Sequence, residues 1–189
     1  MDQETIAKIL EMEKRMFMAV KSVDDAPCQK DIESFIVHRS AQFSAWTKEV
    51  LLSYLHDLEL ASQQGINFMT LKYARMDNMI TVLNENPLIG KILEISKIWQ
   101  QEIIVQYPGI MKGARPLETE HSSGNVSYLN YLKAELETYS DRTLELLYNL
   151  IQSKLEKKLN MSGEVYQYLV VQMGYKNISE AETRLQEKT

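Results

Sequence analysis

Along most of the chain, apolar residues recur three or four positions apart, the spacing at which about 3.6 residues per turn puts them on one helix face. From position 2 to about 21, Ile6, Ile9, Leu10, Met16, Phe17 and Val20 make one such stripe. After a break at Pro27, a second helix runs from Cys28 to Trp46 through Ile32, Phe35, Ile36 and Phe43. Thr47 is placed as an N-cap for the next, whose face is Val50, Leu51, Tyr54, Leu55, Leu58 and Ala61 and whose stop is Gly65. The periodicity continues over 66–83, with Met69, Tyr73, Met76 and Ile80 inward and Lys72 and Arg75 towards the flank. Pro87 suits the first turn of a helix reaching about 107. Four further helices are predicted over 128–139, 140–159, 163–173 and 179–187, the last with Ser179 and Glu182 spaced as a capping box. These elements make a single all-α domain over 1–189, an irregular multi-helix bundle of about seven to nine helices.

One long stretch, about 108–126, lacks this pattern and holds three of the seven Gly and two of the four Pro. Irregular segments of that length in small domains are either working loops or tolerated surface excursions. It also carries Arg115 and His121.

Three helices distant in sequence each place a charge within an apolar stripe: Glu13, Arg39 and Glu135. A guanidinium facing a core without a partner costs several kcal/mol. The economical arrangement is therefore a Glu–Arg–Glu network with nearby tyrosines as hydrogen-bond partners. Two readings follow. In one the network is purely structural and the chain is a helical module that works by binding a protein partner. In the other, Arg39 lies in an inter-helix pocket with Gln42, Trp46, Tyr73, Tyr128 and Tyr131, and Arg75 and Arg115 are drawn in as well. Glu13, Arg39 and Glu135 would then be the candidates for catalysis. If both additional arginines point inward, positive charge exceeds the two carboxylates and the ligand is anionic. A basic role for Glu135 needs burial to raise its pKa by more than Arg39 lowers it.

Composition narrows the classes. With 44% hydrophobic and 25% charged residues, the chain is that of an ordinary globular protein. A net charge of −5 argues against a general grip on nucleic acid. No stretch is long and apolar enough to span a bilayer, and the first residues lack a basic segment leading into an apolar run, so no membrane association and no signal peptide are expected. The single Cys28 cannot form an internal disulfide, which fits a reducing cytoplasm; at a helix start it is also a candidate reactive thiol. A ferritin-like centre needs two Glu-x-x-His pairs, and only Glu118 with His121 matches. No metal and no cofactor are therefore expected, and none of the phosphate-loop, dinucleotide, nucleophile-elbow or zinc-protease signatures is present.

Several of the same residues carry a resemblance. Cys28-Gln29 is followed by Phe35, Arg39, Gln42, Phe43 and Trp46; then come Lys72-Tyr73-Ala74-Arg75-Met76, Tyr107-Pro108 with Arg115, and Tyr131-Leu132 with Glu135, Leu136 and Tyr139. In order and spacing this resembles a bacterial, mainly Firmicute, family known as domain of unknown function 4125, over nearly the whole chain. Asp25-Ala26-Pro27 departs from that pattern, standing where a glycine-rich entry is usual, so the resemblance does not carry over a backbone anion site there. The resemblance implies a fold and candidate positions without an assigned activity. Some members lie beside nucleotidyltransferase-like domains, which implies small-molecule or nucleotide chemistry. The expectation is a cytoplasmic protein that binds a small polar or anionic molecule between helices, for catalysis or sensing.

Overall fold

A computed structural model of the chain describes residues 2–20, 31–118 and 126–187. Cys28, the turn at Pro27 and His121 fall outside the described residues. Ten helices are present among those described: α1 (Gln3–Met18), α2 (Ile32–Ser44), α3 (Lys48–Gln63), α4 (Phe68–Met76), α5 (Pro87–Gln106), α6 (Pro108–Met111), α7 (Tyr128–Leu136), α8 (Asp141–Glu156), α9 (Met161–Gln172) and α10 (Ile178–Gln186). The tenth is α6, a single turn inside the stretch expected to be irregular, started by Pro108 where a missing N–H costs nothing.

Local chemistry explains most boundaries. Side-chain oxygens of Asp2, Asp31, Asn67, Asn86, Ser127, Ser140, Asn160 and Asn177 each accept a first-turn backbone N–H. Thr47 caps α3 by backbone position only, without a side-chain bond. Gly65 and Gly174 take the left-handed conformation that stops α3 and α9, with φ of +69° and +90°. Two expectations are corrected. Helix α4 ends at Met76 and does not continue to residue 83: Asn78 turns left-handed at φ 56°, and the Met79 N–H closes back on the Ala74 carbonyl at 2.8 Å. The α10 cap is Asn177, not Ser179, which leaves Glu182 available for another partner.

Helix α1 packs against α2, α3 and α4; α3 packs against α8, and α5 against α7, α8 and α9. Helix α2 lies along α9, α4 along α7, and α10 along α6 and α9. The main core includes Ile9, Phe17, Phe43, Tyr54, Leu58, Ile92, Leu136, Leu144 and Ile151. Helices α1, α2, α3, α4 and α7 all turn side chains into one region, and the inward charges meet there. No helix among the described residues is long and apolar enough to cross a membrane.

Candidate functional site

Arg39 is 3% exposed and Glu13 is fully buried, so neither charge can be satisfied by water. They satisfy each other. Arg39 donates from Nε to Glu13 Oε2 at 2.7 Å and from Nη2 to Glu13 Oε1 at 2.5 Å, the fork geometry that suits guanidinium to carboxylate. Its Nη1 donates to Glu135 Oε1 at 2.8 Å and to Gln42 Oε1 at 2.6 Å. The Gln42 amide donates in turn to Glu135 Oε1 at 2.8 Å. Phenols complete the set: Tyr54 donates to Glu13 Oε1 at 2.7 Å and Tyr139 to Glu135 Oε1 at 2.6 Å. The face of Phe43 lies 4.7 Å from the guanidinium carbon. Helices α1 and α7, far apart in sequence, are thus joined through one arginine of α2.

A second cation enters where sequence reading placed a flank residue. Lys72 is 2% exposed, and its ammonium donates to Glu135 Oε2 at 3.1 Å and to the Tyr131 hydroxyl at 2.7 Å. Met69, Lys72 and Met76 are the buried residues of α4, and their three-and-four spacing is the signal by which Lys72 could have been placed inside. Two carboxylates therefore face two cations, and the interior of the network is neutral.

That neutrality governs ionisation. Burial works against the charge on Glu135, but Arg39 and Lys72 outweigh it and hold the carboxyl well below the usual carboxylate range. For Arg39, burial opposes the charge, and Glu13 and Glu135 more than restore it. For Lys72, burial again opposes, and Tyr131 with Glu135 raises the ammonium above its ordinary value. Burial, reinforced by the adjacent carboxylates, pushes the phenols of Tyr54 and Tyr139 up.

The other candidates fall in several places. Trp46 is buried beneath the network, its ring centroid 5.8 Å from that of Tyr54 and 6.1 Å from that of Tyr139. Tyr73 is half-buried, with its ring 5.6 Å from the Lys72 ammonium. Tyr128 lies apart, in a polar cluster between α5, α7 and α9: burial pushes its phenol up to about 12 against hydrogen bonds with Ser162 and Ser96. Gln100 donates to Tyr166 at 2.9 Å in the same region. Arg75 is turned away from Arg39 and donates from Nε to Glu137 Oε2 at 2.6 Å. Glu137 is itself buried, and Oε1 of that carboxylate has no hydrogen-bond partner among the described residues. Arg115 is exposed and lies on the outer side, its guanidinium carbon 4.9 Å from the centroid of Tyr131. Among the described residues, no carboxylate pairs with it.

Two surface depressions, of about 390 and 350 Å³, lie elsewhere: one beside Thr47, Leu150 and Lys157, the other beside Ile103, Asn160 and Ile178. Neither is lined by Arg39, Lys72 or Glu135. Among the described residues, no group of three His, Cys, Asp or Glu could hold a metal ion.

A family model described as "Protein of unknown function (DUF4125)" matches residues 3–183, taking in every helix that contributes to this network. The chain belongs to the DUF4125 family. No curated protein and no solved structure matches the chain.

Proposed function

We propose that this DUF4125 chain is a cytoplasmic binding protein for a small anion, held at the outer edge of the buried network where Arg115 lies on Tyr131 and Tyr131 bonds to Lys72. The observation that carries this reading is the charge balance. Arg39 and Lys72 are matched by Glu13 and Glu135, and Arg75 is matched by Glu137, whereas Arg115 has the Tyr131 ring and, among the described residues, no carboxylate. Among the described residues the edge therefore carries one unmatched positive charge above a neutral floor. A half-buried phenol and an arginine fork are suitable donors to a phosphate or carboxylate.

Binding is favoured over proton transfer. A general base works best with a pKa near the operating pH. Glu135 is held ionised far below that, and both its oxygens already accept hydrogen bonds. Its role is to anchor Arg39 and Lys72, and through Lys72 to orient the Tyr131 hydroxyl.

The test is a titration with inorganic phosphate, followed by Tm and by calorimetry. Saturating phosphate, near 100 times Kd, should stabilise wild type by about 2.7 kcal/mol. Because phosphate also stabilises folds by exclusion from their surfaces, the informative quantity is the difference from Arg115→Met, in which the site-specific part should vanish. Equal shifts in the two proteins would remove the proposal. Capture of a stoichiometric protein partner that Arg115→Met does not release would favour the helical interaction module in its place.

A further inference from the structure

Arg115 lies on a short strap, and both ends of that strap are fastened. On the far side, α7 holds it: the N–H groups of Tyr128 and Leu129 donate to the carbonyls of Pro116 and Leu117 at 2.8 and 3.3 Å. On the near side the strap begins with α6, whose first-turn N–H groups have no partners within the helix. They are met by one side chain from the end of the chain. Glu182 of α10, only 8% exposed, accepts from Gly109 N at 2.8 Å through Oε1 and from Ile110 N at 2.9 Å through Oε2. The Gln186 amide steadies the same carboxylate at 2.6 Å.

This contact is shaped as well as bonded. A Cβ at Gly109 would stand 3.0 Å from both Glu182 oxygens, tighter than most real Cβ contacts. A side chain there would make the carboxylate give by a few tenths of an ångström and loosen its hold on both N–H groups. From Met111, which is buried, the Ala114 N–H closes a turn on the Met111 carbonyl at 3.0 Å, and Arg115 follows directly. The place of the guanidinium over Tyr131 is thereby set by two anchors, and one of them is a carboxylate more than sixty positions downstream.

We propose that Glu182 is a positioning residue for the anion site: by clamping the start of α6 it holds Arg115 on the Tyr131 ring, so that the seating of α10 sets the affinity of the site. This inference rests on the anion-binding reading above. It differs in predicting that a residue touching no ligand changes affinity, and that it does so by moving Arg115.

The experiment measures two things on the full chain: the ring-proton shifts of Tyr131 by NMR, and the Kd for inorganic phosphate. The variants are Glu182→Ala, Gly109→Ala and Arg115→Ala, the last marking the Tyr131 signals of an unstacked ring. Glu182→Ala and Gly109→Ala should both move the Tyr131 signals towards those of Arg115→Ala. Both should also raise the phosphate Kd roughly 2- to 10-fold, the effect of having to order one arginine side chain on binding. Asp57→Ala lowers stability at a remote helix end and should change neither reading, which separates positioning from general loosening. Tyr131 signals that stay at their wild-type positions in Glu182→Ala, where both bonds to the start of α6 are gone, would overturn the proposal. Should phosphate fail to bind wild type, the anion reading falls, and the Tyr131 signals still decide whether Glu182 places Arg115.

Discussion

Replacing Arg39 with Met tests the central network most directly, because the two carboxylates it holds are left in different situations. Glu135 keeps Lys72 at 3.1 Å and the Tyr139 hydroxyl. Among the described residues, Glu13 keeps the Tyr54 hydroxyl alone, at 2.7 Å, in a position with no exposure to water. Removing one partner of a buried pair costs about 3–5 kcal/mol, chiefly because the other charge is stranded. For a chain of this size that corresponds to a fall in Tm of roughly 6–20 °C. Native stability is only about 5–15 kcal/mol, so the variant should fold with a much reduced margin.

The decisive comparison is a double variant. Adding Glu13→Gln to Arg39→Met removes the stranded charge and leaves Lys72 with Glu135, a balanced pair. The double variant should therefore be more stable than Arg39→Met alone, even though Glu13→Gln by itself destabilises wild type by leaving two cations for one carboxylate. Urea unfolding of the four proteins of this cycle gives the coupling energy, expected at about 2 kcal/mol or more. Additive losses, or a cost for Arg39→Met below about 1 kcal/mol, would show that the network does not hold charge as the geometry indicates.

Stability should fall towards both alkali and acid, through different groups. Lys72 has a raised folded pKa, so its contribution is whole below the unfolded value near 10.4 and declines as pH rises from there. The raised phenols of Tyr54, Tyr128 and Tyr139 act in the same direction, since above about pH 10 the unfolded chain ionises them and the folded one does not. Phenolate absorbance from Tyr54, Tyr128 and Tyr139 should accordingly appear only with unfolding; ionisation of all ten tyrosines in one smooth step while the chain is still folded would contradict the burial. Glu135, with its lowered pKa, contributes fully above about pH 4.3 and loses that contribution as pH falls, so the acid limb of a urea midpoint profile should begin there and flatten in Glu135→Gln. Asp57→Ala should cost about 0.5–2 kcal/mol in urea unfolding, because it removes the acceptor for Ser140 N at 3.1 Å and for the Thr143 hydroxyl at 2.7 Å at the start of α8.

What the chain alone determined is the helical architecture and the existence of the charge problem. Helix faces follow from a 3.6-residue period, and the cap at Ser140, the first-turn Pro87 and the stop at Gly65 are local chemistry that needs no neighbours. Glu13, Arg39 and Glu135 stood out because charges at the centre of apolar stripes must find partners wherever the chain folds. Which partners they find is a non-local matter. Nothing in the spacing of α4 says that Lys72 meets Glu135 while Arg75 meets Glu137, since that depends on how α4 is rotated against α7. Tyr54 and Tyr139 read as hydrophobes because only their rings follow the period; their hydroxyls acquire meaning from the carboxylates placed opposite. Glu182 looked like part of a capping box on its own helix, and only the packing of α10 on α6 turned it to Gly109. A helix face is fixed within a few turns of backbone, whereas the pairing of charges is fixed by the relative placement of whole helices, and that placement belongs to the tertiary structure.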